Sequence, residues 1–268
     1  MISVSALTSY LYCQRKFYLQ YVIGISEPAK KPTVEGTIIH EAADLMQTDL
    51  NNIISSLTEK TTLKDLQMSY KKAFYTSLFN SINSHENLLK ELKIDKLALF
   101  RQLWEQMSAN AEHKAYSTFN MAKNNNLYGA ALLDKIIANT EVKLESQALG
   151  IRGIADRIEE CDGKMTVYEM KTGTAPNEGL WPGHRVQLAA YMMMLKEKYN
   201  KEIDGMLEYG TDCRKLTLNP FIEDEIRSLI NTVTSARISR NIPNKTESEN
   251  KCKNCGLKKY CDNLPSSY

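Results

Sequence analysis

The chain has 268 residues, 25% of them charged, and a formal net charge of +2, so its overall field is too weak to bind nucleic acid without local basic patches. The length is enough to bury a sizeable core, as one large domain or two small ones. Since no apolar run approaches the ~18 residues of a membrane span and the N-terminus lacks the features of a signal peptide, we predict a cytoplasmic protein without membrane contact.

A long helical block is predicted first along the chain. No Gly or Pro occurs between Thr37 and Tyr128. Apolar residues recur there every three or four positions, as in the series Leu63, Leu66, Tyr70, Phe74 and Leu78. This spacing predicts several amphipathic helices.

Strands are predicted from about Thr140 onward, where apolar and polar residues alternate and glycines recur. We interpret residues 140–173 as two or three strands, with a hairpin at 161–164 joining the last two. Further patterns predict a helix at 184–199, strands at 202–210 and 213–219, and a helix at 221–240 that Pro220 opens. Cys161 and Cys213 lie in strand-like stretches and are predicted to be buried apolar residues. The tail at 244–263 is polar and would not pack alone.

Two carboxylates and a lysine stand out in the predicted strands. Asp156 ends the segment GIAD and is predicted to lie at the end of a strand that pairs with VYEMK across the hairpin. Glu169 and Lys171 lie two residues apart in VYEMKTG, so these two share one face of a strand. Carboxylates on adjacent strands can hold Mg²⁺ or Mn²⁺, and a lysine beside them can orient a water or neutralise charge on a phosphate. The pattern alone is weak, because a surface ion pair worth about 0–1 kcal/mol would look the same.

Two other polar features accompany this pattern. Gln187 and Tyr191 share a helix face, which could fill the groove beside the site; the alternative is a buried tyrosine with a polar neighbour. His40 ends the segment GTIIH and is predicted to lie at the start of a helix. An isolated histidine of this kind is more often structural than a ligand.

Together, the motifs G-x-x-x-H, G-x-x-D, E-x-K and Q-x-x-x-Y follow one another in that order and end at His40, Asp156, Lys171 and Tyr191. In this order they resemble the RecB-like branch of the PD-(D/E)xK nucleases. The resemblance implies a Mn²⁺ or Mg²⁺ ion held by His40, Asp156, Glu169 and the backbone carbonyl of Met170. It also implies that Lys171 is catalytic and that Gln187 and Tyr191 support the site. The implied catalytic set is Asp156, Glu169, Lys171, Gln187 and Tyr191.

Four cysteines form a second constellation. Cys252, Cys255 and Cys261 cluster in the polar tail, and Cys13 lies alone near the N-terminus. A zinc ion or a four-iron cluster takes four ligands, so Cys13 would complete the set if the termini meet; spacing alone does not separate zinc from iron–sulfur. The one-plus-three layout resembles the iron–sulfur nucleases, among them the CRISPR-associated Cas-four exonucleases, which implies a [4Fe-4S] cluster on these four thiolates. No P-loop motif occurs, and no ATP is expected.

The resemblance implies a metal-dependent deoxyribonuclease that acts 5′-to-3′ on single-stranded DNA or single-stranded overhangs. It further implies processing of DNA for CRISPR spacer acquisition, with the adaptation proteins of the integrase complex as partners. Endonuclease action remains open. The alternatives are a RecB-type viral or recombination and repair nuclease outside CRISPR, and a DNA-binding assembly subunit with a vestigial site. The predicted DNA contacts are basic and aromatic residues near the motifs, namely Arg15, Lys16, Trp181, His184, Arg185, Lys251, Lys253, Lys258 and Lys259.

For the fold, the resemblance implies an α+β class: a restriction-endonuclease-like mixed sheet of about five strands flanked by helices. We predict that residues 1–268 form a single RecB-like nuclease domain. Its parts are an N-terminal helical segment at 1–40 with Cys13 and His40, a large helical insertion at 41–138, the nuclease core at 139–240, and a C-terminal iron–sulfur tail at 241–268.

Overall fold

The computed structural model describes residues 1–161, 163–210 and 212–265, without the side chains of residues 137–139 and Cys161. Within these ranges the helices are α1 (Val4–Tyr12), α2 (Gln14–Phe17), α3 (Lys31–Ser55), α4 (Leu63–Ser84), α5 (Glu86–Glu91), α6 (Lys96–Asn125), α7 (Ala130–Lys135), α8 (Pro182–Tyr199), α9 (Pro220–Ser239), α10 (Glu249–Lys253) and α11 (Lys258–Asp262), with a π-helix (Tyr18–Ile23) after α2. The strands are β1 (Ile2–Ser3), β2 (Ile137–Ser146), β3 (Ile151–Cys161), β4 (Lys164–Met170), β5 (Ile203–Tyr209) and β6 (Asp212–Thr217).

The described strands form one mixed sheet built around β3. On one edge, β3 pairs antiparallel with β2 along its length. On the other edge it pairs parallel with β1 at Ile151 and Arg152, and antiparallel with β4 from Arg157 onward. β5 then pairs parallel with β4, and β6 antiparallel with β5. This mixed sheet with flanking helices confirms the predicted α+β class and the predicted hairpin, in which Cys161 pairs with Lys164.

Helix α8 is the centre of the main hydrophobic core. It packs on the sheet and also contacts α1 and α9, and all of its residues from Leu188 to Leu195 are buried, without an exposed polar stripe. Such a helix is stable only when protein encloses it. A polar side chain at the start of this stretch, Gln187, therefore needs partners within the protein.

A second core holds the long helices α3, α4 and α6 together. Local signals fix their ends: the Thr62 hydroxyl caps α4 in a reciprocal pair with Asp65, and the Asp95 carboxylate caps α6. The helical block expected between residues 37 and 128 is confirmed. However, α3 begins at Lys31 with Pro32 in its first turn, so His40 lies inside this helix rather than leading it.

The structure differs from the sequence-based expectations at two further places. Cys213 is exposed rather than buried, because it lies on β6, an outer strand on which only Leu216 is buried. Strand β1 was not predicted, since it has only two residues, Ile2 and Ser3. The predicted burial of Cys161 concerns a side chain outside the described part of the structure.

Gly153 provides a test of the packing between α8 and the sheet. A Cβ there would lie 2.6 Å from Cε1 of Tyr191 and 3.2 Å from Cγ2 of Val4. We predict that Gly153→Ala lowers the free energy of unfolding by about 1–3 kcal/mol through overpacking, measured by urea denaturation. Gly36→Ala is the matched control, because a Cβ at Gly36 in α3 meets nothing within 4 Å. That change should be neutral or stabilising by up to about 1 kcal/mol, and equal losses for both variants would contradict the packing argument.

Candidate functional site

The carboxylate of Asp156 is positioned by an irregularity in the sheet. Thr140 pairs with Arg157 and Val142 with Ala155, while Glu141 between them has a φ of +48°. This left-handed backbone is unfavourable for a residue other than glycine. On the facing part of β3, the neighbouring residues Ala155 and Asp156 are both buried. In a regular strand facing one core, side chains alternate between the two faces and only one of two neighbours would be buried. Asp156 lies within β3, because this strand continues to Cys161, and not at the end of a strand as predicted.

Hydrogen bonds join the carboxylates to β4 and α8. The Met170 N–H donates to Asp156 Oδ2 at 2.6 Å, and Glu169 Oε1 accepts from Lys171 Nζ at 2.7 Å and from Gln187 Nε2 at 2.5 Å. Lys171 Nζ also donates to Gln187 Oε1 at 2.9 Å. Glu169 and Lys171 thus lie on one face of the strand and share Gln187 as a partner.

Tyr191 completes the contacts from α8. Its hydroxyl accepts from Gln187 Nε2 at 3.2 Å, one helical turn away. Its ring lies against Gly153, where no Cβ would fit. The sequence motifs around Gly153, Gln187 and Tyr191 therefore meet beside the two carboxylates.

His40 and Glu141 extend the site on its other side. His40 Nδ1 lies 3.3 Å from Asp156 Oδ1 and 3.7 Å from Glu141 Oε1, and one ligand atom from each of these three residues lies within 4.8 Å of the other two. Sequence reasoning missed Glu141. Its place opposite Asp156 follows from the register of β2 with β3, and no motif in the chain indicates that register.

Burial raises the pKa of both acidic groups. Asp156 and Glu169 are only 7% and 2% exposed. Burial, reinforced by the neighbouring Asp156 charge, raises the pKa of Glu169 to about 8 although Lys171 opposes the shift. Burial likewise raises the pKa of Asp156, against the effects of His40 and the Met170 N–H. Two such carboxylates cannot both be ionised cheaply without a further positive charge.

These residues fit a divalent cation. Glu169 Oε2 is buried and has no hydrogen-bond partner in the described structure, and the buried His40 Nδ1 makes no hydrogen bond although Asp156 Oδ1 lies 3.3 Å away; buried polar atoms normally have a partner. Carboxylate oxygens and an imidazole nitrogen are the donors that Mn²⁺ accepts, and carboxylates also suit Mg²⁺. Glu169, Asp156, His40 and Glu141 are thus the side chains that could hold such an ion.

The four candidate cluster cysteines also meet in the structure. Cys13, Cys252, Cys255 and Cys261 are free thiols that line one small cavity, which Lys16, Lys245, Lys251 and Lys258 also line. Burial raises the pKa of the Cys261 thiol, and Arg15 and Lys245 oppose that shift. The surrounding ammonium groups complement the negative charge that a thiolate-bound metal group would carry.

Polar contacts hold the tail against the N-terminal segment. Glu27 accepts from the Gly256 N–H at 2.8 Å and pairs with Lys16 at 2.6 Å. The Arg15 guanidinium donates to the carbonyls of Leu264 and Pro265. The polar tail is therefore attached by hydrogen bonds and ion pairs, and among its described residues the buried apolar side chain is that of Leu257.

The predicted DNA contacts occupy different environments. Arg15 is only 4% exposed and binds the tail, so its guanidinium does not face solvent. Arg185 pairs with Glu225 at 2.6 Å. Burial lowers the pKa of His184 to about 4, which leaves its ring neutral at pH 7. Lys16 and Trp181, in contrast, line an open groove that leads to Lys171.

Comparison with known proteins places this geometry in a family. The sequence profile of the PD-(D/E)XK nuclease superfamily matches residues 1–262. The chain belongs to this superfamily. A solved structure of a candidate exonuclease from Eubacterium rectale superposes with a TM-score of 0.52 at 10% identity, over 100% of this chain and 90% of that chain, which supports the nuclease fold.

Curated relatives add a narrower similarity. The chain is 27% identical to a CRISPR-associated exonuclease Cas4 of Francisella tularensis subsp. novicida, over 56% of this chain and 74% of that protein. It is 28% identical to a CRISPR-associated exonuclease Cas4/endonuclease Cas1 fusion of Myxococcus xanthus, over 46% of this chain. The match spans only 23% of the fusion protein's length. Among the described residues, no helix is both long and apolar enough to span a membrane.

The raised pKa of Glu169 has a consequence for stability in EDTA. An unfolded glutamate titrates near pH 4.3, so between that pH and about 8 the folded site binds more protons than the unfolded chain. The free energy of unfolding should therefore fall as pH rises, by at most about 1.4 kcal/mol per pH unit for one proton. We predict that Glu169→Gln flattens this fall, as measured by thermal melting of both proteins from pH 5.5 to 8.5. If the melting temperatures of the two proteins changed with pH in parallel, the raised pKa of Glu169 would be contradicted.

Proposed function

We propose that the chain is a metal-dependent DNA nuclease whose active site consists of Asp156, Glu169, Lys171, Gln187 and Tyr191. The observation that carries this proposal is a pair of buried carboxylates on neighbouring strands, of which Glu169 has one unpartnered oxygen and binds Lys171, the residue that follows β4. His40, Asp156, Glu169 and the backbone carbonyl of Met170 would hold Mn²⁺ or Mg²⁺, and Glu141 is an additional candidate ligand. When bound, such an ion polarises a phosphoryl oxygen and lowers the pKa of a bound water.

The side chains have distinct tasks in this proposal. Glu169 and Gln187 fix the ammonium group of Lys171 between them, so it can orient the attacking water and offset charge on the phosphate. Gln187 also bridges Lys171 to Tyr191, and Tyr191 holds α8 at a fixed distance from β3 through Gly153. The site is therefore pre-organised by α8 as well as by the strands that carry the acidic groups.

We further propose that the substrate is single-stranded DNA, or DNA with single-stranded overhangs, and that digestion is 5′-to-3′ exonucleolytic. Similarity to proteins named Cas4 and Cas4/Cas1 fusion supports a role in processing DNA for CRISPR spacer acquisition, with integrase proteins as partners. In this proposal residues 1–268 act as a single nuclease domain. A recombination or repair nuclease outside CRISPR would use the same chemistry, and a DNA-binding subunit would lack it.

The four cysteines are proposed to bind a [4Fe-4S] cluster that fastens the tail to the N-terminal segment. Their shared cavity and the lysines around it support this assignment, because a cluster with four thiolate ligands carries net negative charge. The cluster would then be structural and would shape the approach to the active site. Zinc is the alternative that four thiolates also allow.

Substitution of the lysine tests the nuclease proposal. We predict that Lys171→Ala lowers the rate of Mn²⁺-dependent cleavage of labelled single-stranded DNA by about a hundredfold or more. Lys164→Ala is the matched control, since Lys164 lies exposed at the other end of β4, and it should retain the parental rate. Equal activity of the parent and Lys171→Ala would refute the assignment, and absence of activity in a folded, metal-supplied parent would favour the DNA-binding subunit.

Metal analysis tests the cysteine proposal. For anaerobically purified protein we predict about four iron and four acid-labile sulfide per chain, with both lost in Cys252→Ser. Cys213→Ser should keep the parental iron content, because Cys213 is an exposed thiol on β6 away from the cavity. Stoichiometric zinc in place of iron would contradict the cluster.

A further inference from the structure

Two grooves meet at the site, and their charges are opposite. The first, here called the strand groove, has a volume of about 760 Å³ and is formed by α1, the π-helix, the start of α8 and the tail. Among the described residues its lining contains lysines and aromatic residues and neither Asp nor Glu. Its charged and aromatic members are Lys16, Lys171, Lys251, Tyr12, Tyr21, Trp181 and His184.

The second groove, the acidic groove, lies on the side of α3 and β2 and measures about 570 Å³. It is lined by Glu41, Asp44, Glu141 and Asp156 together with His40, and by neither Lys nor Arg within the described chain. A divalent cation held at Asp156 would offset only two of the four carboxylate charges in this groove, so the rest of a phosphodiester chain would still be repelled from it and attracted to the lysines across the site. The charge pattern thus distinguishes the two directions in which a strand could leave the metal site.

Aromatic rings in the strand groove are exposed yet held in place. Tyr12 is 37% exposed, and the ammonium groups of Lys16 and Lys251 lie 5.2 and 5.3 Å from its ring centroid. Trp181 is 47% exposed, while its indole N–H donates to the carbonyl of Thr174 at 2.9 Å. Fixed rings lose little conformational entropy when a base stacks on them. Lys16 also pairs with Glu27, which offsets part of its positive charge. Stacking of a base on the aromatic rings is not reduced by that ion pair.

We propose that the strand groove binds one nucleic-acid strand, with bases stacked on Tyr12 and Trp181 and phosphates near Lys16, Lys251 and Lys171. The uncleaved part of the substrate lies in this groove, and the acidic groove binds none of it. Stacking requires open base faces, which a duplex does not offer. This inference rests on the proposed function and specifies which surface selects a single strand.

Binding without cleavage tests the groove. The probe is a fluorescent oligothymidine of about 16 nucleotides, with Asp156→Asn protein in EDTA. Tyr12→Ala and Trp181→Ala should each raise Kd about tenfold, the usual cost of one lost stacking contact. Lys16→Ala with Lys251→Ala should reduce the salt dependence of Kd. The matched controls are Tyr116→Ala and the pair Lys64→Ala and Lys72→Ala, exposed residues of the helical block, which should leave Kd unchanged.

A second readout isolates stacking from folding effects. The chain has two tryptophans, Trp104 and Trp181, so in Trp104→Phe protein the emission reports on Trp181 alone. Oligothymidine should quench this emission, and an abasic oligomer of equal charge should not. Equal quenching by both, or equal Kd values for groove and control variants, would overturn the proposal.

The outcomes for the groove and for catalysis are separable. If the parent cleaves DNA and Tyr12→Ala and Trp181→Ala bind oligothymidine as tightly as the parent, the strand-groove proposal is overturned and the nuclease proposal stands. Loss of binding in these variants, with no cleavage by the metal-supplied parent, would support the groove and refute the nuclease. A parent that does not bind oligothymidine at all would overturn the groove.

Discussion

The enclosure of two carboxylates by β3, β4 and α8 is the constraint on which the site depends. Asp156 and Glu169 are almost completely buried, and ionised groups in that setting are costly unless positive charge or hydrogen bonds compensate them. The protein supplies the Lys171 ammonium, the Gln187 amide and the Met170 N–H, yet Glu169 Oε2 remains without a partner in the described structure. The fold therefore keeps in place an arrangement that a divalent cation would stabilise.

Much of the scaffold was predictable from local pattern. The three- and four-residue spacing of apolar side chains indicated the helices, and alternation with the 161–164 turn indicated β3 and β4, because both signals depend on short-range geometry. Motif order also predicted a site at Asp156, Glu169, Lys171 and Gln187, and these side chains lie close together in the structure. Glu141 was not predictable, since its place depends on strand register and a left-handed backbone. The start of α3 was missed because neither Lys31 nor Pro32 continues the apolar pattern.

Charge and shape around the site are organised by the two termini. Glu27, Lys16 and Arg15 attach the tail, and this attachment brings Lys251 to the Tyr12 ring and the tail cysteines to Cys13. The same contacts thus form one wall of the strand groove and the cysteine cavity. On the opposite side, α3 and β2 contribute acidic groups and His40. The strands and α8 thus have a basic, aromatic approach on one side and an acidic surface, the candidate cation site, on the other.

Direct titration of the site with Mn²⁺ tests this account most closely. Calorimetry of the EDTA-treated, buffer-exchanged protein should detect Mn²⁺ binding accompanied by proton release, because ligands must be deprotonated to bind the ion. Asp156→Asn should weaken that binding strongly while the protein stays folded by circular dichroism. Absence of binding to the parent, or unchanged binding to Asp156→Asn, would contradict the claim that the buried carboxylates form a metal site.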